Sequence, residues 1–527
     1  MTGSQWKMSK EFIGTVKNRY LTCLAAAVAF VACKQRTFNS AELTATSGGF
    51  LKLRADTDPY SDLDPKFESV FYGDVEREKS ELILGGNVFK DYMIGRAKTY
   101  EKWWSEYQKI KGKSLLESGE QELLNSYRLF FDNVPNRGNG RFATRGVHAK
   151  NMGCYVGSVH FLNTFDSQFQ KGIFQQGAEY QTIVRLSNGA ARFVHDFTPS
   201  SHGMAIKLLE KGVDISAMDA EKINKSTKLN ISNVNFPVAF MFEPEQYRKT
   251  TKLNLPNYQD PREVLKYNIN QLRTAAEGII LGNSQKPLDI RTALLALGVN
   301  GKIIYNPLYQ SYNSMSSFRL GESDDPGKTA VKYIIEPCEK EMRRPNAAEF
   351  SADWTRKPHF NIPKPIQWLV KDPSIPGHIR TELEKRPNYL TEITRETLNA
   401  GDFCFDFKLQ PFVDHKNTPV EDPSVLWVSS EDERSYWSGL AKNIPESSLR
   451  PAAIEVRKVS EPITVAKLNL TKTLVSNDVC EDLQFTVWEN VPDVHKPLGV
   501  SNRMRWFAYR ASFDTRSSLN QSSAPRK

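Results

Sequence analysis

Near residue 141 the hydrophobic rhythm of this chain changes from helical to alternating. Before the change, Tyr100, Trp103, Trp104, Tyr107 and Ile110 recur at three- and four-residue steps, the stripe of an apolar helix face, within a helical stretch from about Glu76 to Phe131. A Gly-rich break follows at Asn136–Arg141 (NRGNGR). Beyond it, Gly153–Leu162, Tyr180–Ser187, Met204–Leu209 and Pro237–Phe242 read as strands separated by Gly, Asn, Ser and Pro turns. Leu390, Ile393 and Leu398 predict a helix beginning near Arg386 and stopped by Gly401. Phe403, Phe405, Phe407 and Leu409 then alternate with Asp402, Cys404, Asp406 and Lys408, as in a half-buried strand. A last helix is expected from about Asn502 to Thr515, and the Ser-rich Ser517–Lys527 is expected to be a disordered tail. The order predicts an α+β chain, a large and mainly antiparallel sheet or barrel with helices outside it.

With 527 residues, 39% hydrophobic and 25% charged, there is material for one large globular domain or a few smaller ones. The net charge of +9 is scattered, with no run of five basic residues, which argues against a nucleic-acid partner. Lys7, Lys10, Lys17 and Arg19 precede the apolar run Leu21–Cys33. That run is too short for a bilayer, which takes about 20 residues, and the charge-then-apolar order is that of an export signal. Phe30-Val31-Ala32-Cys33 resembles a bacterial lipobox, so the expectation is an exported protein of the bacterial periplasm or an outer-membrane lipoprotein anchored through an acylated Cys33. The chain therefore divides into a signal segment 1–33, an N-terminal arm and helical segment 34–135, a main domain 136–516 and a tail 517–527. Cys154, Cys338, Cys404 and Cys480 remain after export, without zinc-type spacing; export permits disulfides among them and leaves their pairing open.

Three fragments carry candidate chemistry. On the last helix, Arg505, Tyr509 and Arg516 fall within roughly 40° of one another at about 100° per residue. Arginine beside a phenol favours the ionised form, and a phenolate is a good ligand for ferric iron. Arg145-Gly146-Val147-His148-Ala149-Lys150 sets a histidine among cations. In the strand Tyr180–Ser187, period two puts Ile183, Arg185 and Ser187 on one face, so a cation that can grip a carboxylate stands beside a hydroxyl that can orient an imidazole through its other nitrogen.

These fragments, with Gly203-Met-Ala-Ile-Lys207, Asn235-Phe-Pro-Val-Ala-Phe-Met-Phe242, Tyr312-Asn-Ser314, Arg319-Leu-Gly321 and Ala330-Val-Lys-Tyr333, resemble in order the haem-pocket segments of catalases and catalase-like proteins, over about Asn136 to Arg516. The resemblance implies a catalase-like antiparallel β-barrel with surrounding helices. Because the chain ends soon after the Tyr509 helix, it is similar to the reduced branch, related to catalases and allene oxide synthases, that lacks the C-terminal helical domain. The implied cofactor is haem b, with Tyr509 as axial ligand of the iron and Arg505 setting its ionisation. His148 would be the distal base and Ser187 its support. Arg145, Arg185 and Arg516 would approach the propionates, and Tyr247 would stack on the porphyrin. The family's distal asparagine falls on Val234 without a gap, and Asn235 in its Asn-x-Pro setting is taken as the equivalent; Phe513 stands where the family has a histidine. The implied function is consumption of hydrogen peroxide by catalase or peroxidase chemistry. The alternatives are a fatty-acid hydroperoxide isomerase or lyase acting on an organic or lipid hydroperoxide, from which Val147 departs, and a non-enzymatic haem carrier or sensor. A homo-oligomer is compatible with either enzyme. No CxxCH occurs, so covalent c-type haem attachment is excluded. His160, His195, His202, His359, His378, His415 and His495 lack metal-ligand spacing and read as structural or exposed.

Overall fold

The computed structural model describes residues 75–113, 117–121, 124, 143–190, 193–198, 200–239, 244, 302–322, 329–342, 359–360, 377–414, 418–423, 427 and 460–522. The export segment with Cys33, the arm to about residue 65, the Gly-rich break and Tyr247 lie outside the described residues.

The alternating segments become the staves of a closed barrel. In chain order the strands of the main sheet are β1 (Asn151–Phe161), β2 (Glu179–Asn188), β3 (His202–Glu210), β4 (Thr227–Val234), β5 (Tyr312–Asn313), β6 (Phe318–Arg319), β7 (Ala330–Pro337), β8 (Phe403–Pro411) and β9 (Ile463–Leu474), and Lys302–Ile303 pairs separately with His359–Phe360. Eight of them close a ring of antiparallel pairs, β1–β2–β3–β4–β5–β7–β8–β9 and back to β1, while β6 pairs with β7. Closure leaves the sheet without an open edge. The helices used below are α1 (Val75–Lys111), α2 (Ala220–Ser226), α3 (Tyr389–Asn399), α4 (Asn477–Asp482) and α5 (Val500–Ser522).

Period two sorts the side chains. Val184 and Leu186 of β2, Met204 and Ile206 of β3, and Phe405 and Phe407 of β8 share one interior core. All four apolar positions of the Phe403–Leu409 alternation are fully buried, each worth about 2 kcal/mol of apolar transfer. Outside the barrel, Cys154, Ile183, Leu209, Ile223, Cys480 and Leu483 make a second core beneath α2 and α4. A disulfide joins Cys154 of β1 to Cys480 of α4, and another joins Cys338 to Cys404. α3 ends at Gly401, whose φ of 145° is open to glycine. α1 and α5 meet through Leu82 and Met504, and Arg503 Nε donates to Glu78 Oε1 at 2.6 Å. Among the described residues no helix is long and apolar enough to cross a membrane.

Two segments differ from the sequence reading. The strand expected at Pro237–Phe242 is not there in its described part: residues 235–238 bend, and the neighbouring strand is β4, upstream. Proline has no N–H for a ladder, and Ala239 N–H instead donates to Pro423 O at 2.9 Å. The final helix runs past Thr515 to Ser522. Its last turns are held because Asn520 donates to and accepts from the backbone of Ala143, both at 3.0 Å, which gives the Ser-rich segment partners that its composition does not announce.

Candidate active site

The loop between α1 and β1 carries His148, and three layers hold it. From α1, the buried Arg96 donates to Gly146 O at 2.7 Å and to Thr144 Oγ1 at 2.7 Å. From α5, Ser512 Oγ accepts from Gly146 N–H at 3.1 Å. From the barrel side, the fully buried Lys150 places its ammonium against Asp196 Oδ1 at 2.6 Å, Pro387 O at 2.8 Å and Val194 O at 3.0 Å. The clamp sustains a strained residue, since His148 has φ 55°, a left-handed value that costs a non-glycine residue roughly 1 kcal/mol or more. Its N–H donates to Gly189 O at 3.4 Å and its carbonyl accepts from Arg185 Nη2 at 2.9 Å.

The imidazole rests on the outer face of the barrel. Ser187 Oγ lies 3.2 Å from Nδ1, which fixes one ring nitrogen. β2 pairs Ser187 with Gly203 of β3. A Cβ at Gly203 would come within 2.7 Å of both Cε1 and Nδ1 of His148 and 2.9 Å of Ser187 Oγ, so glycine is what lets the ring lie on the strand. Burial pushes the His148 imidazole down to about 3, and the positive charges of Arg185, Arg505 and Arg145 add to that. The ring is therefore neutral at any ordinary pH, with a lone pair to accept a proton.

Ile183, Arg185 and Ser187 do share the outward face of β2, opposite Val184 and Leu186. On β4 the alternation of inward Leu229 and Ile231 with outward Asn230 and Ser232 leaves Val234 facing out, across the register from Gly203. Asn235, one residue on, turns its Oδ1 to the His202 N–H at 2.7 Å. The amide favoured from the sequence is thus engaged with β3, and an apolar side chain stands at the position next to Gly203.

On α5, Arg505 donates to the Tyr509 hydroxyl oxygen twice, from Nε at 3.3 Å and Nη2 at 3.1 Å. The fork is itself aimed by Ser316 Oγ at 3.2 Å, Asn502 Oδ1 at 3.1 Å and Ser232 O at 3.2 Å. The i, i+4 spacing read from the sequence is what brings guanidinium and phenol together. The remaining arginines gather around a residue that the sequence reading missed. Glu481, at the end of α4, accepts from Arg145 Nη1 at 2.6 Å, Arg185 Nη2 at 3.4 Å and Asn151 Nδ2 at 2.6 Å. Burial alone would raise its carboxyl, but Arg145, Arg185 and Arg516 outweigh it and hold it at about 2. Burial, and then the neighbouring charge of Arg145, pulls Arg185 and Arg516 down to about 9. No local motif announces Glu481, because its partner Arg145 is 336 residues away in the chain.

Two observations bear on whether an anionic iron porphyrin suits these residues. Arg516 is only 5% exposed, and among the described residues its guanidinium has no ion pair or hydrogen bond, only the Phe513 ring at 5.5 Å. Arg185 Nε is buried with no partner. Together with a phenol oxygen held between two N–H donors, these are the donors that a group with a metal and acidic substituents would use, so the residues fit.

No family model matches the chain, and no curated protein matches it. Among solved structures it is similar to a fungal catalase, at 13% identity and TM-score 0.46, covering 79% of this chain and 65% of that one. It is also similar to a bacterial catalase, at 14% identity and TM-score 0.43, covering 78% of this chain and 62% of that one. A third similarity is to catalase A from Saccharomyces cerevisiae, at 13% and 0.40, covering 78% and 66%. The chain spans less than two thirds of the length of each. Likeness at these identities and TM-scores says nothing of this chain's chemistry, which stands on its own geometry.

Proposed function

We propose that the chain is an exported haem enzyme that consumes peroxide. The observation that carries this is the pairing of two sites: a phenol oxygen held by the Arg505 fork, and a neutral imidazole held by Ser187 on the barrel wall. Tyr509 would hold the iron through its oxygen, which the Arg505 fork keeps in place, and Arg516 and Arg185 would take the propionates. When bound, the haem supplies a redox centre that takes up the oxidising equivalents of a peroxide. The rest falls to the chain. His148, with Nδ1 fixed by Ser187, is oriented to use its other nitrogen, Nε2, as base: it removes the proton of a hydroperoxide and returns that proton to the departing oxygen. General acid–base transfer of this kind is worth about 10²- to 10⁴-fold. The disulfides Cys154–Cys480 and Cys338–Cys404 support an oxidising compartment outside the cytosol.

A second reading, rearrangement of an organic or lipid hydroperoxide, is favoured by Val234. An apolar side chain beside the base suits a substrate with an alkyl group better than hydrogen peroxide, which needs polar partners. Purified protein loaded with haem decides between them. Oxygen release from hydrogen peroxide, lost in His148→Ala, is expected from the first; loss of conjugated-diene absorbance from a fatty-acid hydroperoxide without oxygen release would replace it with the second.

A further inference from the structure

Arg145, Arg185 and Arg516 set three positive charges around one half-buried carboxylate, Glu481. Two of these charges stay uncompensated, and their donors are unevenly engaged. Arg145 is satisfied by Glu481 at 2.6 Å, Cys480 O at 3.2 Å and Leu483 O at 2.8 Å. Arg185 keeps Nε unused, and Arg516 has no polar partner among the described residues. Asp482 next door is exposed, so its charge is screened by water. Of the other nearby buried cations, Lys150 is closed off by Asp196, and Lys207 donates to Thr227 Oγ1 and Asn230 Oδ1. Unpaired buried charge is costly, and Glu481, tied into the cluster, offsets part of that cost. That tie is deliberate in its construction. The disulfide Cys154–Cys480 fastens the residue before Glu481 to β1, Asn151 of β1 donates to Glu481 Oε1, and the Cys480 carbonyl takes one arm of Arg145.

We infer that Glu481 is the resident counter-ion of this cluster and limits its capacity to a ligand carrying two carboxylates, which Arg516 and Arg185 Nε receive. Glu481 is a positioning residue: it holds Arg145 and Arg185 while the site is empty, and its stabilising role shrinks when ligand carboxylates arrive. The inference rests on the haem reading for the identity of the ligand, not for the charge balance.

Thermal melting of the full chain tests it, with iron protoporphyrin (two carboxylates), its dimethyl ester (none) and malonate as probes. Glu481→Gln without ligand should melt below the unmodified protein. Iron protoporphyrin should then raise its melting point by about 3 °C more than it raises the unmodified protein's, whereas the dimethyl ester should raise both equally. Glu481→Asp, which keeps the charge, should behave as the unmodified protein. Equal rises for both porphyrins in all proteins would overturn the inference, leaving Glu481 a structural residue only. Should neither porphyrin shift any of them, the haem reading falls and malonate decides the counter-ion: a larger rise in Glu481→Gln keeps it, an equal one removes it. If Glu481→Gln does not fold unliganded, Arg516→Met replaces it. The inference expects its unliganded melting point to be unchanged or higher and its ligand-induced rise to be smaller; a lower unliganded melting point would contradict it.

Discussion

Lys150 and Arg516 are both buried cations of the same site, and their surroundings differ in kind. Lys150 spends its ammonium on a carboxylate and two carbonyls, and Asp196 in turn accepts from Leu390 N–H at 2.9 Å, so the His148 loop is tied to the start of α3. Arg516, on a helix packed against the same loop, lies over the Phe513 ring and has no acceptor among the described residues. A saturated buried charge holds the fold. A buried charge left without an acceptor costs the fold instead, and the haem reading assigns it to a ligand.

The comparison can be broken by mutation. Lys150→Met strands the Asp196 carboxylate and should cost about 3–5 kcal/mol in urea unfolding, whereas Arg516→Met should leave the unliganded protein as stable as before or slightly more so; equal costs would erase the distinction. Next in size, Cys154→Ser should lose about 2–5 kcal/mol, read as a gap between melts with and without reductant that narrows in the variant to what Cys338–Cys404 alone contributes. Gly203→Ala places a Cβ at 2.7 Å from the imidazole; overpacking of about 1–3 kcal/mol should come with a fall in peroxide turnover that exceeds the change in stability. Ser187→Ala frees Nδ1 of His148, and a loss of about tenfold in turnover with near-unchanged melting is expected.

The smallest change in turnover is expected with pH. His148 has its imidazole lowered to about 3 from 6.5. The unfolded chain then binds the proton that the folded one refuses, so stability is full above about pH 6.5 and falls as the pH drops towards 3. Glu481, lowered to about 2 from 4.5, loses its contribution in the same acid direction, between pH 4.5 and 2. Peroxide turnover should stay flat from pH 8 to about 5; a decline centred near 6.5 would mean that the base is an ordinary histidine.

Much of the fold was legible where pattern and burial agree. The Phe403–Leu409 alternation and the outward face of Ile183, Arg185 and Ser187 follow from period two alone, and Arg505 reaches Tyr509 because four residues make one helical turn. What escaped has a different origin. β4 was hidden because Asn233, buried on the inner side, interrupts the alternation of Leu229 and Ile231, while the apolar Phe236–Val238 beyond it is a buried bend. The end of α5 is decided by Asn520 meeting Ala143, 377 residues distant. The pairing of Cys154 with Cys480, and Glu481 among its arginines, are likewise products of topology, with no local signal to find.

The central claim is an iron porphyrin held through Tyr509 oxygen, and absorbance during titration of purified protein with haem tests it most directly. The account predicts saturation at one equivalent with the visible spectrum of a ferric phenolate haem, changed or lost in Tyr509→Phe. An unsaturable, featureless response, or an identical spectrum in Tyr509→Phe, would contradict it.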